Sequence, residues 1–316
     1  MTTKMPSKES LIGFETELED LRIKTLADLG EKDAKHIKNI ITQQRVAEIA
    51  GRVFLQFGIF PPFWLVGTTL LSLSKILDNM EIGHNVMHGQ YDWMNDQTIH
   101  SSNFEWDTYT NIIGKDRDYG YGLLRMDEDS EFKFEDYFNL VKFAALSVFF
   151  QYGVGLHELE SDRIESGEIK LKDKIPFLKD FAKKASRQIL KDYAFFPALG
   201  MLTGSGLPVL AGNITANFVR NIWSSSVIFC GHFAEGSHTF DEKDCQDESK
   251  GQWYYRQILG SCNFSGNNLM HIMSGHLSFQ VEHHLFPDIP SVRYPEMAKQ
   301  VQAICKKYDI PYNVAP

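Results

Sequence analysis

The sequence predicts a mainly helical protein that lies in a membrane and carries a large polar cap. Two long runs without a charged residue indicate membrane segments, at residues 53–74 and 193–219, and a further uncharged stretch, 221–234, follows Arg220. A helix that crosses the bilayer core needs about 20 mostly apolar residues. The alternation of apolar and polar residues that is typical of strands is weak along the chain, which favours helices.

The order of the uncharged runs predicts the order of the elements. Residues 193–234 are long enough for two crossings joined by a turn rich in glycine and proline. Residues 53–74 predict either one span or the joint of a hairpin bent at Pro61 and Pro62. Residues 143–156 are also apolar, but the run is too short to show whether it crosses a membrane. We assign residues 1–40 to a polar N-terminal segment and 41–316 to a single domain; a soluble protein with buried core helices is the alternative.

Composition excludes several functions. The net charge of -9 gives no indication of a nucleic-acid partner. The four cysteines form no CxxC pair, so neither a disulfide framework nor a zinc ribbon is predicted. The N-terminal residues have no apolar core of the kind found in a secretory signal, and they predict a cytoplasmic segment.

Histidines near the edges of the apolar runs form the candidate site. His84 and His88 in "EIGHNVMHGQYDW" are four residues apart and share a face if the chain is helical there. His283 and His284 follow Gln280 by three and four residues in "SFQVEHHLFPDIP". Imidazole is a common ligand of iron and zinc, and ionisable groups beside membrane helices are costly unless they bind something. Together with His232 in "VIFCGHFAEG", these groups predict a metal site at the membrane surface.

The sequence resembles the membrane-bound fatty acid desaturases, and among them the bacterial acyl-CoA or acyl-lipid desaturases. "GHNVMHGQYDW" is similar to the first histidine box of that family, and "GHLSFQVEHHLFPDIPSVRYPEMA" to the third. "YTNIIGKDRDYGYGLLRM" is similar to the segment after the second box, and "FCGHF" to the isolated histidine that ends the fourth membrane helix. The resemblance extends from about residue 40 to the end of the chain, and the third box is its most specific part.

The resemblance implies an all-α integral membrane fold. Two transmembrane helical hairpins would lie under a helical cytosolic cap that holds a di-iron site on histidines. Two iron ions and O₂ would then remove two hydrogens from an acyl chain of an acyl-CoA or acyl-lipid. No haem, flavin or HPGG motif is present, so we expect a separate electron donor of the ferredoxin or cytochrome b5 type with its reductase. The resemblance implies no catalytic side chain beyond the metal ligands and the residue that hydrogen-bonds to them, which are His84, His88, His232, His283, His284 and, as the hydrogen-bonding partner, Gln280.

One departure from the family pattern concerns the second histidine box. The box, of form HxxHH, normally lies just before "YTN", yet here "HSSNFEWDT" at residues 100–108 precedes it and contains only His100. Because both flanks match the family, a deletion explains this better than substitution. Loss of one ligand cluster predicts an under-coordinated iron and low activity. Carboxylates nearby can also bind iron, although cap positions are the favoured interpretation of these residues, Glu105, Asp107, Asp116 and Asp118.

Two other functions remain open at this level. A histidine-box hydroxylase of alkyl or lipid substrates would share the fold and the metal. A truncated desaturase could bind acyl chains or partners without turnover, and the missing second box favours it. Among the other histidines, His36 lies in a charged amphipathic stretch and is predicted to be solvated.

The uncharged runs predict that the chain stays with membranes during alkaline carbonate extraction. Carbonate strips proteins that are held only by charge, but it leaves apolar segments in the bilayer. Immunoblotting of pellet and supernatant, with a peripheral protein as control, measures the outcome. Release of most of the chain together with that control would contradict the prediction.

Overall fold

The computed structural model describes residues 5–103, 124–125, 132–157, 159–160, 163–164, 166–232, 237–240, 245 and 247–315. The chain divides into two compact units. The first unit comprises Met1–Ile40, Met80–Tyr119 and Val227–Pro316, and the second comprises Ile41–Asn79 and Gly120–Ser226.

Helices dominate the described part of the chain, as the sequence predicts. Two π-helical segments, Asp78–His84 and Leu190–Phe195, continue directly from helices. Two strands of two residues each, β1 (Asn263–Phe264) and β2 (Val314–Ala315), pair in parallel and so join the last described residues to the segment around residue 263. The helices are α1 (Lys8–Ala27), α2 (Glu31–Leu55), α3 (Pro61–Leu77), α4 (Asn85–Met87), α5 (Asn139–Val148), α6 (Phe150–His157), α7 (Ile175–Ile189), α8 (Phe196–Met201), α9 (Gly206–His232), α10 (Lys250–Leu259), α11 (Asn268–Met273), α12 (Gln280–Leu285) and α13 (Tyr294–Lys307).

Helix α1 forms one side of the core of the first unit. Its Ser7 cap accepts a hydrogen bond from the Ser10 amide at 3.2 Å, which satisfies one of the free amides at the helix start. Apolar residues then recur three or four positions apart, and so lie on one face. That face packs against apolar side chains of α10, α12 and α13. The buried residues of α1 in this core are Leu11, Phe14, Leu18 and Leu21.

In the second unit, glycines allow α2 and α3 to approach closely. A Cβ atom on Gly51 would lie 2.8 Å from the Leu71 amide nitrogen and 2.9 Å from the Gly67 carbonyl oxygen. Larger residues would push the two backbones apart. The small core beside this contact contains Leu55, Leu71, Val209 and Ala216.

The two apolar runs are each interrupted. Helix α2 ends at Leu55 and α3 begins at Pro61, so the hairpin interpretation of residues 53–74 is right and the continuous span is wrong. Proline fits the first turn of a helix, where its missing amide has no partner to lose. Between α8 and α9, Gly204 has a positive φ of 75°, which ends the first helix.

Among the described residues, no single helix is both long and apolar enough to cross a membrane. One bent pair meets the length and composition criteria together, Asp136–Val148 with Phe150–Leu156, which meet at 100°. This pair overlaps residues 143–156, the run that the sequence left undecided.

We expect Leu18→Ala to destabilise the first unit by about 3 kcal/mol, since it removes a fully buried side chain and leaves a cavity. The matched control is Ile23→Ala on the same helix, where the side chain is 58% exposed; its effect should be within about 0.5 kcal/mol. Thermal unfolding in detergent, followed by tryptophan fluorescence, measures both. Equal losses would mean that α1 does not pack as described.

Candidate metal centre

The first histidine segment begins where α3 changes to a π-helix. His84 is the last residue of that π-helical segment, and His88 follows α4 directly. The His88 amide donates to the His84 carbonyl at 3.3 Å, so the backbone keeps a helical turn between them. The two Nε2 atoms lie 3.2 Å apart. The four-residue spacing therefore places both imidazoles on one side.

Helix α12 brings the third-box histidines to the same place. The His283 ring centroid lies 5.0 Å from that of His84 and 4.4 Å from that of His88. One ring nitrogen from each of these three histidines lies within 4.8 Å of the others. In the described part of the chain this is the one group of three or more such donors able to hold a metal ion.

Buried hydrogen bonds fix the first segment against the chain that follows α12. The Asn85 Nδ2 group donates to Ser291 Oγ at 2.9 Å, and the Ser291 amide donates to Gln90 Oε1 at 2.8 Å. Gln90 Nε2 donates to the Tyr294 hydroxyl at 3.2 Å, and that hydroxyl donates to the Phe286 carbonyl at 3.0 Å. Asn85, Gln90, Ser291 and Tyr294 are all buried. These bonds connect segments about 200 residues apart in sequence.

Asn85 also orients His84. Its Nδ2 group donates both to Ser291 and to the Glu81 carbonyl at 2.9 Å, so its Oδ1 atom remains as the acceptor. That Oδ1 lies 3.3 Å from His84 Nδ1. His84 Nδ1 therefore carries the proton, and Nε2 directs its lone pair toward His88.

His284 lies beside the three clustered histidines, 5.5 Å from His283 between ring centroids, and outside their group. The Ser261 hydroxyl donates to the Gln257 carbonyl at 2.6 Å and accepts from His284 Nδ1 at 2.6 Å. His284 Nε2 consequently keeps its lone pair, and Gln280 Nε2 lies 2.8 Å from it. The same lone pair serves either the Gln280 amide or a metal ion.

Asn263 holds the start of helix α12 in place through its side chain. Its Oδ1 atom accepts from the Val281 amide at 2.8 Å, and its Nδ2 group donates to Glu282 at 2.8 Å. The Tyr312 hydroxyl donates to the other carboxyl oxygen of Glu282 at 2.9 Å. Burial raises the pKa of Glu282 to about 7 despite these hydrogen bonds. The C-terminal segment thus holds the residue next to His283.

The clustered histidines fit a transition-metal ion. Burial, together with the neighbouring His84 and His284, holds the pKa of His88 well below its usual range, so its imidazole is neutral at physiological pH. Neutral imidazole is the form that binds metal. Adjacent nitrogen ligands on one metal ion lie about 3 Å apart when each bond is about 2.1 Å, which agrees with the 3.2 Å between His84 and His88.

A second buried cluster was missed by the sequence reasoning. The Glu81 carboxylate is fully buried, and its two oxygens each lie 2.9 Å from an imidazole nitrogen, Nε2 of His36 and Nδ1 of His276. The prediction that His36 is solvated is wrong, because a buried carboxylate needs donors and His36 provides one. Burial alone would raise the pKa of Glu81, but His276 and His36 bring it below its ordinary value of 4.5.

The signal for this second cluster was weak. Glu81 stands three residues before His84, the spacing of one helical turn, and sequence alone does not show that it is buried. His276 has a left-handed backbone, φ 57°, directly after Gly275 at φ 65°. A Cβ atom on Gly275 would lie 2.5 Å from the Met80 carbonyl oxygen. This close approach places His276 against Glu81.

Several predicted site residues lie outside the described residues. The backbone of His232 ends α9, but its side chain is not among those described, and neither are Glu105, Asp107, Asp116 and Asp118. His100 is described and lies near Asp92, with 3.6 Å between Nδ1 and the carboxylate. It is not part of the three-histidine group.

We expect His88→Ala to lower bound metal at least tenfold, because it removes one of three converging ligands from a buried site. His238→Ala, outside the group, is the control and should leave the metal content unchanged. The number of metal ions per chain is measured in both variants and the wild type by mass spectrometry, after purification and metal loading. An unchanged metal content in His88→Ala would exclude this cluster as the binding site.

We expect Glu81→Gln to lower stability at pH 7 by about 3 kcal/mol, because it removes the buried charge that accepts from the imidazoles of His36 and His276. The folded pKa of Glu81 lies below its ordinary value, so the carboxylate stabilises the fold above pH 4.5 and this contribution is lost as the pH falls. The unfolding midpoints of variant and wild type should therefore differ most at pH 7, and the difference should narrow as the pH falls below 4.5. A gap that is independent of pH would contradict the assigned charge.

Comparison with known proteins identifies the family. The fatty acid desaturase family model matches residues 60–316. A Mycobacterium tuberculosis protein named NADPH-dependent stearoyl-CoA 9-desaturase is 43% identical over 316 residues, which cover 94% of this chain and 74% of the relative. A Synechocystis sn-1 linoleoyl-lipid 6-desaturase is 24% identical over 282 residues, covering 81% of this chain and 76% of the relative.

A shorter match is to human fatty acid desaturase 3, 36% identical over 74 residues, which cover 23% of this chain and 17% of the relative. No solved structure matches significantly. The family model covers most of the chain and the mycobacterial relative aligns with nearly all of it, so the chain belongs to the fatty acid desaturase family, a family of oxidoreductases in lipid metabolism.

Proposed function

We propose that this protein is an acyl-CoA desaturase, which removes two hydrogens from the acyl chain of a long saturated acyl-CoA and forms a double bond. The convergence of His84, His88 and His283 on one buried point carries the proposal. The acyl-CoA substrate is supported by the name of the mycobacterial relative, a stearoyl-CoA desaturase. An acyl-lipid substrate, as in the name of the Synechocystis relative, is the competing possibility. The product analysis described below distinguishes the two substrates.

Histidine-bound iron would supply an oxidant made from O₂ that is strong enough to break an unactivated C–H bond. The residues of this chain prepare the site for it. Asn85 fixes the ring nitrogen that His84 offers, and Ser261 does the same for His284. Burial keeps His88 neutral, so its lone pair is available. The burial of His88, His283 and His284 also limits the access of water.

The full ligand set that we propose for two irons is larger than the described cluster. His284 would join if its Nε2 atom exchanged Gln280 for iron, because Ser261 already holds the proton on Nδ1. His232 would contribute from the end of α9. Five histidines are fewer than a centre with three histidine boxes provides, so we propose that this chain holds iron incompletely and has low activity.

We propose that the protein is integral to the membrane, with the site on the cytoplasmic side. The exposed apolar side chains of α5, α8 and the start of α9 support an apolar environment, since a large exposed apolar surface is otherwise rare. They include Leu140, Met201, Leu202 and Leu207, each more than 70% exposed. Electrons would come from a separate donor of the ferredoxin or cytochrome b5 type with its reductase. The NADPH dependence in the name of the mycobacterial relative agrees with such a chain of carriers.

A second candidate function is an acyl-binding protein without turnover. The absence of a second histidine box between Asp107 and Thr108 favours it, because iron binding would then be incomplete while the fold persists. Iron content separates this candidate from an enzyme, and product analysis separates desaturation from hydroxylation.

We expect the unmodified chain to bind fewer than two irons and to form little product from stearoyl-CoA. Insertion of a histidine-rich segment of the second-box form between Asp107 and Thr108 should raise iron per chain and yield octadecenoyl products. The control insertion has the same length with each histidine replaced by glutamine. Iron is measured by mass spectrometry, and products from stearoyl-CoA and from stearoyl phospholipid are measured by gas chromatography in a host that supplies an electron donor.

Three results would contradict parts of the proposal. Two irons and rapid desaturation in the unmodified chain would show that the ligand assignment is wrong. Hydroxylated products would exclude desaturation as the main reaction. Equal restoration by the control insertion would exclude a role for the histidines in that segment.

A further inference from the structure

The segment from Lys170 to Lys191 differs in charge from the rest of the chain. It contains eight basic residues and two acidic ones, a net charge of +6, whereas the whole chain has a net charge of -9. Helix α7 occupies most of this segment, and none of its residues is buried. Only Asp192 separates the segment from the uncharged run at 193–219. It is therefore a local positive surface next to an apolar part of the protein.

Much of this positive charge is not neutralised within the described residues. Lys174 pairs with Glu160, Lys184 with Asp180 at 2.7 Å, and Lys191 with Glu48 at 3.1 Å. The other five cations make no ion pair in the part of the chain that the structure describes. Four of them are exposed lysines and one is an exposed arginine: Lys170, Lys172, Lys179, Lys183 and Arg187.

An exposed apolar stripe runs along the same helix. Ile175, Ala182 and Ile189 are seven residues apart and share a face, and all three are exposed. Ile175 is 43% and Ile189 45% exposed. Lys179 and Lys183 lie along one edge of this stripe, because at 3.6 residues per turn they are about 40° and about 80° around the helix from Ile175.

A different face of α7 attaches the helix to α6. A Cβ atom on Gly155 of α6 would lie 2.6 Å from the Phe181 ring, so ring and backbone are in close contact. The amides of Gln188 and Gln151 exchange two hydrogen bonds, at 2.8 and 3.0 Å. These contacts fix the rotation of α7, and therefore the direction in which the stripe and its lysines face.

We propose that α7 lies along the bilayer surface and binds the phosphate headgroups of anionic phospholipids. This inference rests on the membrane association proposed above and adds its headgroup chemistry. A basic amphipathic helix places its apolar stripe at the acyl boundary and its cations among anionic headgroups. The positive charge of this surface complements the negative charge of the headgroups. Five cations that make no ion pair among the described residues lie on α7 or in the residues just before it.

The geometry favours a lipid surface over the phosphates of one coenzyme A. From Lys170 to Arg187 there are 17 residue steps, which correspond to about 25 Å at the helical rise of 1.5 Å per residue. The cations are distributed along this length beside the apolar stripe, whereas a single nucleotide needs cations gathered at one point. A row of headgroups at a bilayer surface matches the distributed arrangement.

The test uses the full chain reconstituted into vesicles of equal phosphatidylcholine and phosphatidylglycerol. The protein is extracted in mild detergent, purified, and its retained phospholipids are quantified by class. The surface variant replaces Lys170, Lys172, Lys179 and Lys183 with glutamine. The matched control makes the same change at four exposed lysines of the first unit, Lys24, Lys32, Lys35 and Lys299.

We expect the wild type and the control variant to retain phosphatidylglycerol at least threefold above its share in the vesicles. The surface variant should return to the vesicle ratio while its unfolding midpoint stays unchanged, and 0.5 M salt should weaken the wild-type enrichment because it screens exposed charges. Equal enrichment in the wild type and the surface variant would overturn the inference. Removal of the enrichment by millimolar coenzyme A would also overturn it, since the cations would then serve the acyl carrier.

Failure of this inference is distinguishable from failure of the membrane proposal. Retention of both phospholipid classes without enrichment would contradict only the headgroup assignment. Release of the wild-type chain from vesicles by alkaline carbonate, with neither phospholipid retained, would contradict both.

Discussion

The buried amide hydrogen bonds that join Asn85 and Gln90 to Ser291 and Tyr294 are the constraint on which the metal centre depends. Converging ligands must be held to within a fraction of an ångström, and these histidines come from segments about 200 residues apart. Each amide bonds at both its oxygen and its nitrogen, so neither side chain can rotate without leaving a buried polar group unpaired. The histidine positions follow from that fixed frame, and Ser291 and Tyr294 are as necessary to it as the histidines.

Buried charges in the first unit and in the second unit follow the same requirement for partners. In the first unit, Glu81 accepts from His36 and His276, and the guanidinium of Arg293 donates to both oxygens of buried Asp33 at 2.5 and 2.7 Å. In the second unit, buried Asp192 accepts from Arg52 at 2.8 Å and from Lys75 at 2.6 Å. Replacing one partner at any of these positions would leave an uncompensated charge away from water. Each π-helical segment contains one of these buried carboxylates, Glu81 in Asp78–His84 and Asp192 in Leu190–Phe195.

The candidate metal centre has neutral imidazole ligands, and a charged carboxylate, Glu81, lies close to them in the fold. His88 is held neutral by burial and by adjacent imidazoles, while the Glu81 carboxylate is held ionised by its own two imidazoles. Asn85 lies between the ionised Glu81 and the neutral histidine ligands, since it donates to the Glu81 carbonyl and its Oδ1 atom lies next to His84 Nδ1. A neutral amide transmits orientation without adding charge to the ligands. In the second unit, the cations of α7 are exposed to solvent, where the proposed headgroups can reach them.

The sequence by itself determined the helical class and the family, and it singled out His84, His88 and His283, which the fold brings together, because motif spacing is a local property of the chain. It also offered a bend at Pro61 and Pro62 as one of two alternatives and predicted a turn rich in glycine and proline within residues 193–234, because backbone chemistry is local too. Only the tertiary structure decided that His36 serves Glu81, that Ser261 and Gln280 share His284, and that Gln90 binds the chain near Tyr294. These contacts join residues between 4 and about 200 positions apart and depend on burial, which no short window of sequence encodes. A polar residue in a charged stretch looks solvated until the fold encloses its partner.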